Sequence, residues 1–124
     1  MQTVEKVWGM EQIYVATPLY TLKRMVLTPG YQCSIHHHEK KDETFLMERG
    51  IMKVMLFFGG LGSTHGLCRV LTPGDTIHIP PGVRHTFLNP YEEEAVFLEV
   101  STHDDPEDSY RVTPSGLIEP SRFP

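Results

Sequence analysis

Along most of this chain apolar and polar residues alternate with a period of two, the pattern of strands that bury one face. Alternating or short apolar runs rich in β-branched and aromatic residues cover 12–15, 19–27, 31–38, 43–48, 52–58, 67–71, 75–80, 84–89 and 95–101. Between these runs fall Thr-Pro-Gly at 28–30 and again at 72–74, Gly-Gly at 59–60 and Asn-Pro at 89–90. Each is a turn with a mechanism, since proline presets φ and glycine reaches positive φ. No segment carries a long apolar stripe at the helical period of 3.6. Short strands about eight to twelve residues apart predict a sandwich or barrel.

The ends differ in character. Trp8 and Gly9 begin an N-terminal arm, expected to lie against a neighbouring subunit. Asp105-Pro106 reads as a helix cap followed by proline at the first helical position, which predicts one short helical turn. From 113 to 124 the prolines and the lack of periodicity predict an extended tail, with Leu117, Ile118 and Phe123 packing on its own barrel or a partner's. The 124 residues are therefore read as one domain, with a core over about 12–102 and a C-terminal tail over 103–124.

Composition narrows the partners. No apolar stretch approaches the roughly 18 residues that a membrane span needs, and the N-terminus has no signal-peptide core. The net charge of −5, with no basic cluster, argues against nucleic acid. Cys33 and Cys68 form no C-x-x-C motif and no framework, so a reducing cytoplasmic compartment is expected, while a disulfide between them stays open.

The candidate chemistry is concentrated in two segments. In the first, His36 and His38 lie two residues apart and share one strand face, while His37 points away. The polar stretch 39–42 reads as a hairpin turn, after which Glu43, Phe45 and Met47 return on a common inward face. In the second, Pro80-Pro81-Gly82 forms a stiff turn leading into a strand on which His85, Phe87 and Asn89 share a face. Three imidazoles and a carboxylate suit a divalent transition metal such as Mn, Zn, Fe or Ni. Cys33 has the parity of His37 and is not counted as a ligand. His78 is opposite in parity to Ile77 and Ile79 and is read as a pocket-wall or hydrogen-bonding residue.

These segments resemble the paired motifs of the cupin superfamily, G-x5-H-x-H-x4-E-x6-G and G-x5-P-x-G-x2-H-x3-N. The matching positions are Gly30, His36, His38, Glu43 and Gly50, then Gly74, Pro80, Gly82, His85 and Asn89. The resemblance implies an all-β fold, a double-stranded β-helix or jelly-roll barrel whose mouth holds the metal. It also implies His36, His38, Glu43 and His85 as ligands, and a homodimer formed through sheet edges.

Three further stretches resemble mannose-6-phosphate-isomerase-like cupins. They are Lys6-Val7-Trp8-Gly9-Met10-Glu11, Pro18-Leu19-Tyr20-Thr21-Leu22-Lys23, and Phe97-Leu98-Glu99-Val100-Ser101-Thr102 followed by an acidic segment ending Asp108-Ser109-Tyr110. Ser101 stands where those relatives usually carry glutamine. The activity implied is aldose–ketose isomerisation of a sugar or sugar phosphate through a metal-stabilised enediolate. Glu99, flanked by apolar residues, is the candidate catalytic base, although alternation alone does not say which face of its strand is inward. Lys23 and Arg84, with His78, are the candidate substrate-binding residues, the two cations for an anionic group. The alternatives are an iron-dependent dioxygenase and a non-catalytic sugar-binding or regulatory module.

Overall fold

The computed structural model describes residues 1–59 and 65–118. In chain order its strands are β1 (Gln2–Lys6), β2 (Gly9–Ala16), β3 (Tyr20–Leu27), β4 (Tyr31–Gln32), β5 (His36–His37), β6 (Glu43–Arg49) and β7 (Met52–Phe57). They continue as β8 (Gly66–Leu71), β9 (Thr76–Ile79), β10 (Arg84–Leu88), β11 (Ala95–Thr102), β12 (Tyr110–Arg111) and β13 (Gly116–Leu117). Among the described residues there is no helix. One sheet runs β1-β2-β3-β11-β6-β9. In the other, β10 pairs with β7 on one side and with β4 and β5 on the other, β8 extends β7, and β12 and β13 form the far edge. Every pairing is antiparallel. The fold is all-β, as the strand spacing predicted, and is the jelly roll that the motif resemblance implied.

Register divides the interior into two ends. Across β3, β11 and β6 one inward row holds Met25, Phe97 and Met47, the next Lys23, Glu99 and Phe45, and the next Thr21, Ser101 and Glu43. All nine are buried. Moving along the strands, the lining thus changes from apolar to ionisable. At the apolar end Phe97 meets Phe45 and Phe87 with ring centroids 5.0 and 5.1 Å apart, which ties the two sheets together. Gly50, in the turn between β6 and β7, has φ +78, and a Cβ there would stand 2.5 Å from the Glu94 carbonyl oxygen. The end of the first motif is therefore a backbone requirement rather than a chemical one.

Three expectations change. The N-terminal arm is a hairpin, β1–β2, on the chain's own sheet, and Trp8 packs edge-on against Phe87 in the chain's own core. Instead of continuing unbroken, the strand predicted over 31–38 splits into β4 and β5. Between them the N–H groups of Ser34 and Ile35 donate to Ser115 Oγ and Thr113 Oγ1 in the tail. The break turns Cys33 toward the interior, where the Phe87 N–H donates to its sulfur and burial pushes the thiol up to about 12. At Asp105-Pro106 there is a turn and no helical turn, with Asp105 Oδ1 accepting the Glu107 N–H. The tail packs on its own barrel, β12 against β5 and β13 against β4. Phe123 lies outside the described residues.

Candidate metal centre

Three imidazoles converge at the polar end of the barrel. His36 and His85 are directly opposite one another in the β5–β10 ladder, with ring centroids 4.4 Å apart. His38 follows on the same chain segment, its ring 5.0 Å from His36. One nitrogen from each of the three lies within 4.8 Å of the others. Glu43 enters from the opposite sheet, with Oε1 3.1 Å from His85 Nε2 and Oε2 3.8 Å from His38 Nε2. The four residues read as ligands are thus brought together, two sheets contributing.

The hydrogen bonds fix which nitrogens face inward. His36 Nδ1 lies 2.8 Å from the Ser34 carbonyl, His38 Nδ1 2.6 Å from that of Asp108 and His85 Nδ1 2.9 Å from that of Val83. A carbonyl only accepts, so each Nδ1 carries a proton, and in the neutral ring it is Nε2 that presents a lone pair. Burial lowers the His36 imidazole to about 3, with His85 adding to the effect, and burial also lowers His38. Both are therefore held neutral, the state that ligates.

This donor set fits a cation. His85 Nε2 is buried without a hydrogen-bond partner among the described residues. A lone pair on His85 Nε2 therefore faces a carboxylate oxygen at 3.1 Å with no proton placed between them. Such buried acceptor–acceptor contacts are unfavourable unless a positive charge lies between them. We expect the His36→Ala/His38→Ala double variant to stay folded and to retain only background metal after dialysis, measured by plasma mass spectrometry. Full occupancy in that variant would overturn the ligand assignment.

Beside the imidazoles lies a buried charge cluster. Lys41 Nζ is 3.1 Å from Glu43 Oε2, 2.9 Å from Glu99 Oε2 and 3.3 Å from Asp104 Oδ1. Lys23 Nζ contacts Asp104 Oδ2 at 2.5 Å, Glu11 at 3.6 Å and Glu99 at 4.0 Å. Burial alone would pull both ammonium groups down. The carboxylates outweigh it, and both lysines sit above their ordinary value. The two glutamates move in opposite directions. Burial raises both, but in Glu43 the charge of the Lys41 ammonium opposes it, and the carboxyl is held well below the usual carboxylate range. Glu99 stays raised, by burial and then by the Glu43 charge, against the opposing lysines.

The His36 and His38 imidazoles and this cluster share one cavity of about 590 Å³, with Trp8, Met25, Phe45 and Phe87 on its apolar wall. That volume lies in the usual range of small-molecule sites. The question of which face Glu99 occupies is settled: it points inward and lines the cavity. Lys23 also lines it, but engaged by carboxylates rather than free for an anion. Arg84 and His78 do not line it. The Arg84 guanidinium donates to the Gly59 carbonyl at 2.6 Å, and His78 stands on the outer sheet face, more than half exposed, against Asp42. His78 is outward for the reason that Ile77 and Ile79 are buried, namely alternation.

Sequence reading missed Lys41, placing it in a solvent turn. Its parity was the available signal, since Lys41 lies two residues before the inward Glu43. Asp104 carried no signal that separated it from its acidic neighbours.

Comparison with known proteins agrees with this fold. A family model described as "Cupin domain" matches residues 23–101. The chain is 26% identical over 97 residues to a mannose-1-phosphate guanylyltransferase of Salmonella montevideo, covering 78% of this chain and 19% of that protein. Among solved structures, the capsular polysaccharide assembling protein CapF from Staphylococcus aureus superposes with a TM-score of 0.79 at 19% identity, over 90% of this chain and 31% of that one. Oxalate decarboxylase from Bacillus subtilis gives 0.76 at 19% identity, over 90% and 30%. KdgF from Halomonas sp. gives 0.65 at 20% identity, over 79% and 81%. The chain thus spans about a fifth of the guanylyltransferase and about a third of CapF.

Proposed function

The chain belongs to the cupin-domain family, and on that premise we propose that it is a metal-dependent isomerase interconverting an aldose and a ketose, as free sugar or sugar phosphate. The observation that carries the reading is Glu99, a buried carboxylate on the cavity wall, linked through the Lys41 ammonium to the ligand Glu43. A divalent transition metal held by His36, His38, Glu43 and His85 would supply a Lewis acid that polarises a carbonyl oxygen and acidifies the neighbouring C–H.

The interconversion then needs a group that takes a proton from a carbon and returns it to the adjacent one, while the hydroxyl proton passes from one oxygen to the other. Glu99 has the required properties. Its pKa is raised by burial and by the Glu43 charge, which makes it a stronger base than an exposed carboxylate. Its partner carboxylate is driven the other way and stays ionised, and two such groups pushed apart by their environments are a recurring mark of acid–base sites. Lys23 from β3 and Lys41 from the loop before β6 hold the Glu99 carboxylate in place, while the aromatic wall excludes water from the carbon being deprotonated.

The test is proton NMR of aldoses, ketoses and their phosphates in D2O with metal-loaded protein. Deuterium entering at C1 or C2 is the expected result, with or without net conversion. Absence of exchange across the panel, with metal confirmed bound, would overturn the proposal. Oxygen uptake or sugar binding without turnover would then mark it as a dioxygenase or a binding module.

A further inference from the structure

The segment after β11 crosses back over the residues that carry the metal histidines and is held there along its length. Tyr110 and Arg111 pair with His37 and His36, and the Val112 N–H donates to the Ile35 carbonyl at 2.7 Å. Thr113 Oγ1 and Ser115 Oγ accept the Ile35 and Ser34 N–H groups, and the Ile118 N–H donates to the Gly30 carbonyl at 2.9 Å. One residue of this strap does something different. The buried Asp108 carboxylate accepts three consecutive backbone N–H groups, Glu39 at 2.9 Å on Oδ1, and Lys40 at 3.1 Å and Lys41 at 3.0 Å on Oδ2. Its own carbonyl accepts the His38 Nδ1–H at 2.6 Å.

We propose that Asp108 is a positioning residue for the metal centre, fixing residues 38–41 as a unit and with them His38 and Lys41. The inference rests on the metal reading above. Three converging amides form a concave donor nest that an anion fills, and without one they must find other acceptors or open the loop. The loop's ends are both functional, one turning an imidazole toward His36 and His85, the other placing an ammonium between Glu43 and Glu99. The strap does not depend on Asp108 to stay docked, because its other anchors lie at Ile35, Ser34 and Gly30. Loss of the carboxylate therefore releases the loop rather than the strap.

The experiment is a Co(II) titration of the full chain, followed by visible absorption, for wild type, Asp108→Ala, Asp108→Asn and Thr17→Ala. Thr17 makes comparable side-chain bonds to the Leu19 and Tyr20 N–H groups in the β2–β3 turn, outside the cavity lining, and controls for simple destabilisation. We expect the Asp108→Ala dissociation constant to rise roughly 10–100-fold, the usual range for losing a group that orients a ligand. Its Co(II) spectrum should also differ from wild type. Asp108→Asn, which keeps one acceptor oxygen, should fall between, and it decides the matter if the alanine variant does not fold. Thr17→Ala should bind as wild type does. Unchanged affinity in the foldable Asp108 variants, or equal weakening in Thr17→Ala, would overturn the assignment. Failure of the wild type itself to bind Co(II) would instead overturn the metal reading, and this inference with it.

Discussion

Glu99→Gln should lower proton exchange and isomerisation by about 10²–10⁴-fold, the usual contribution of a positioned base. Metal occupancy and melting temperature should stay close to wild type. The amide is isosteric with the carboxylate, so the cavity keeps its shape and the metal ligands are untouched. Lys41 retains Glu43 and Asp104 as partners, and Lys23 retains Asp104 and Glu11. Only the ability to carry a proton is lost. The pH profile gives an independent check. Glu99 works as a base when ionised, and burial with the Glu43 charge raises its pKa. Activity should therefore fall on the acid side at a pH above the ordinary carboxylate range, and that limb should vanish in the variant. An unchanged turnover rate in Glu99→Gln would move the base elsewhere.

Lys41→Met should cost about 3–5 kcal/mol of stability at neutral pH, measured by urea unfolding. Removing one partner from a buried ionic cluster leaves the others uncompensated, which is the expensive way to break it. Here the remainder is Glu43, Glu99 and Asp104, two of them almost completely buried. The pH dependence follows from the sign. Without the ammonium, the burial that already raises Glu99 meets less opposition, so the folded variant binds protons more readily than the unfolded chain. A carboxylate raised in the folded state loses stability as pH rises through its titration. The gap between variant and wild type should therefore narrow in mild acid and widen toward neutrality. A variant as stable as wild type at neutral pH would show that the cluster is solvated rather than buried.

Much of this arrangement was legible in the residues, and what was not has a physical cause. The spacing of His36 and His38, and the return of Glu43 on an inward face with Phe45 and Met47, follow from a period of two and a turn. Glu99 could be nominated from its apolar neighbours but not oriented. Ala95, Phe97, Glu99 and Ser101 share a face whichever way the strand lies, and only pairing with Lys23 and Phe45 determines which way is in. Lys41 was lost to composition, because a run of charged residues reads as solvent-facing even when one member pairs with buried carboxylates. His78 was drawn toward the pocket by its residue type, although its parity argued the other way. Asp108 stood out only as the start of the Asp108-Ser109-Tyr110 ending, which says nothing of its role, since its three amide partners lie 67 to 69 residues away.

The position of β11 in the first sheet bears on how the chain is made. It is the last of that sheet's six strands to leave the ribosome, yet it lies between β3 and β6. Until it emerges, each of those strands is paired on one side only, and each exposes an open edge of the kind that joins other chains. Pairings so distant in sequence also close slowly, in milliseconds to seconds rather than microseconds. During synthesis, the half-made barrel waits with two unprotected edges for the strand that carries Glu99. Crowded translation, more than the stability of the finished molecule, is where this fold is most exposed to misassembly.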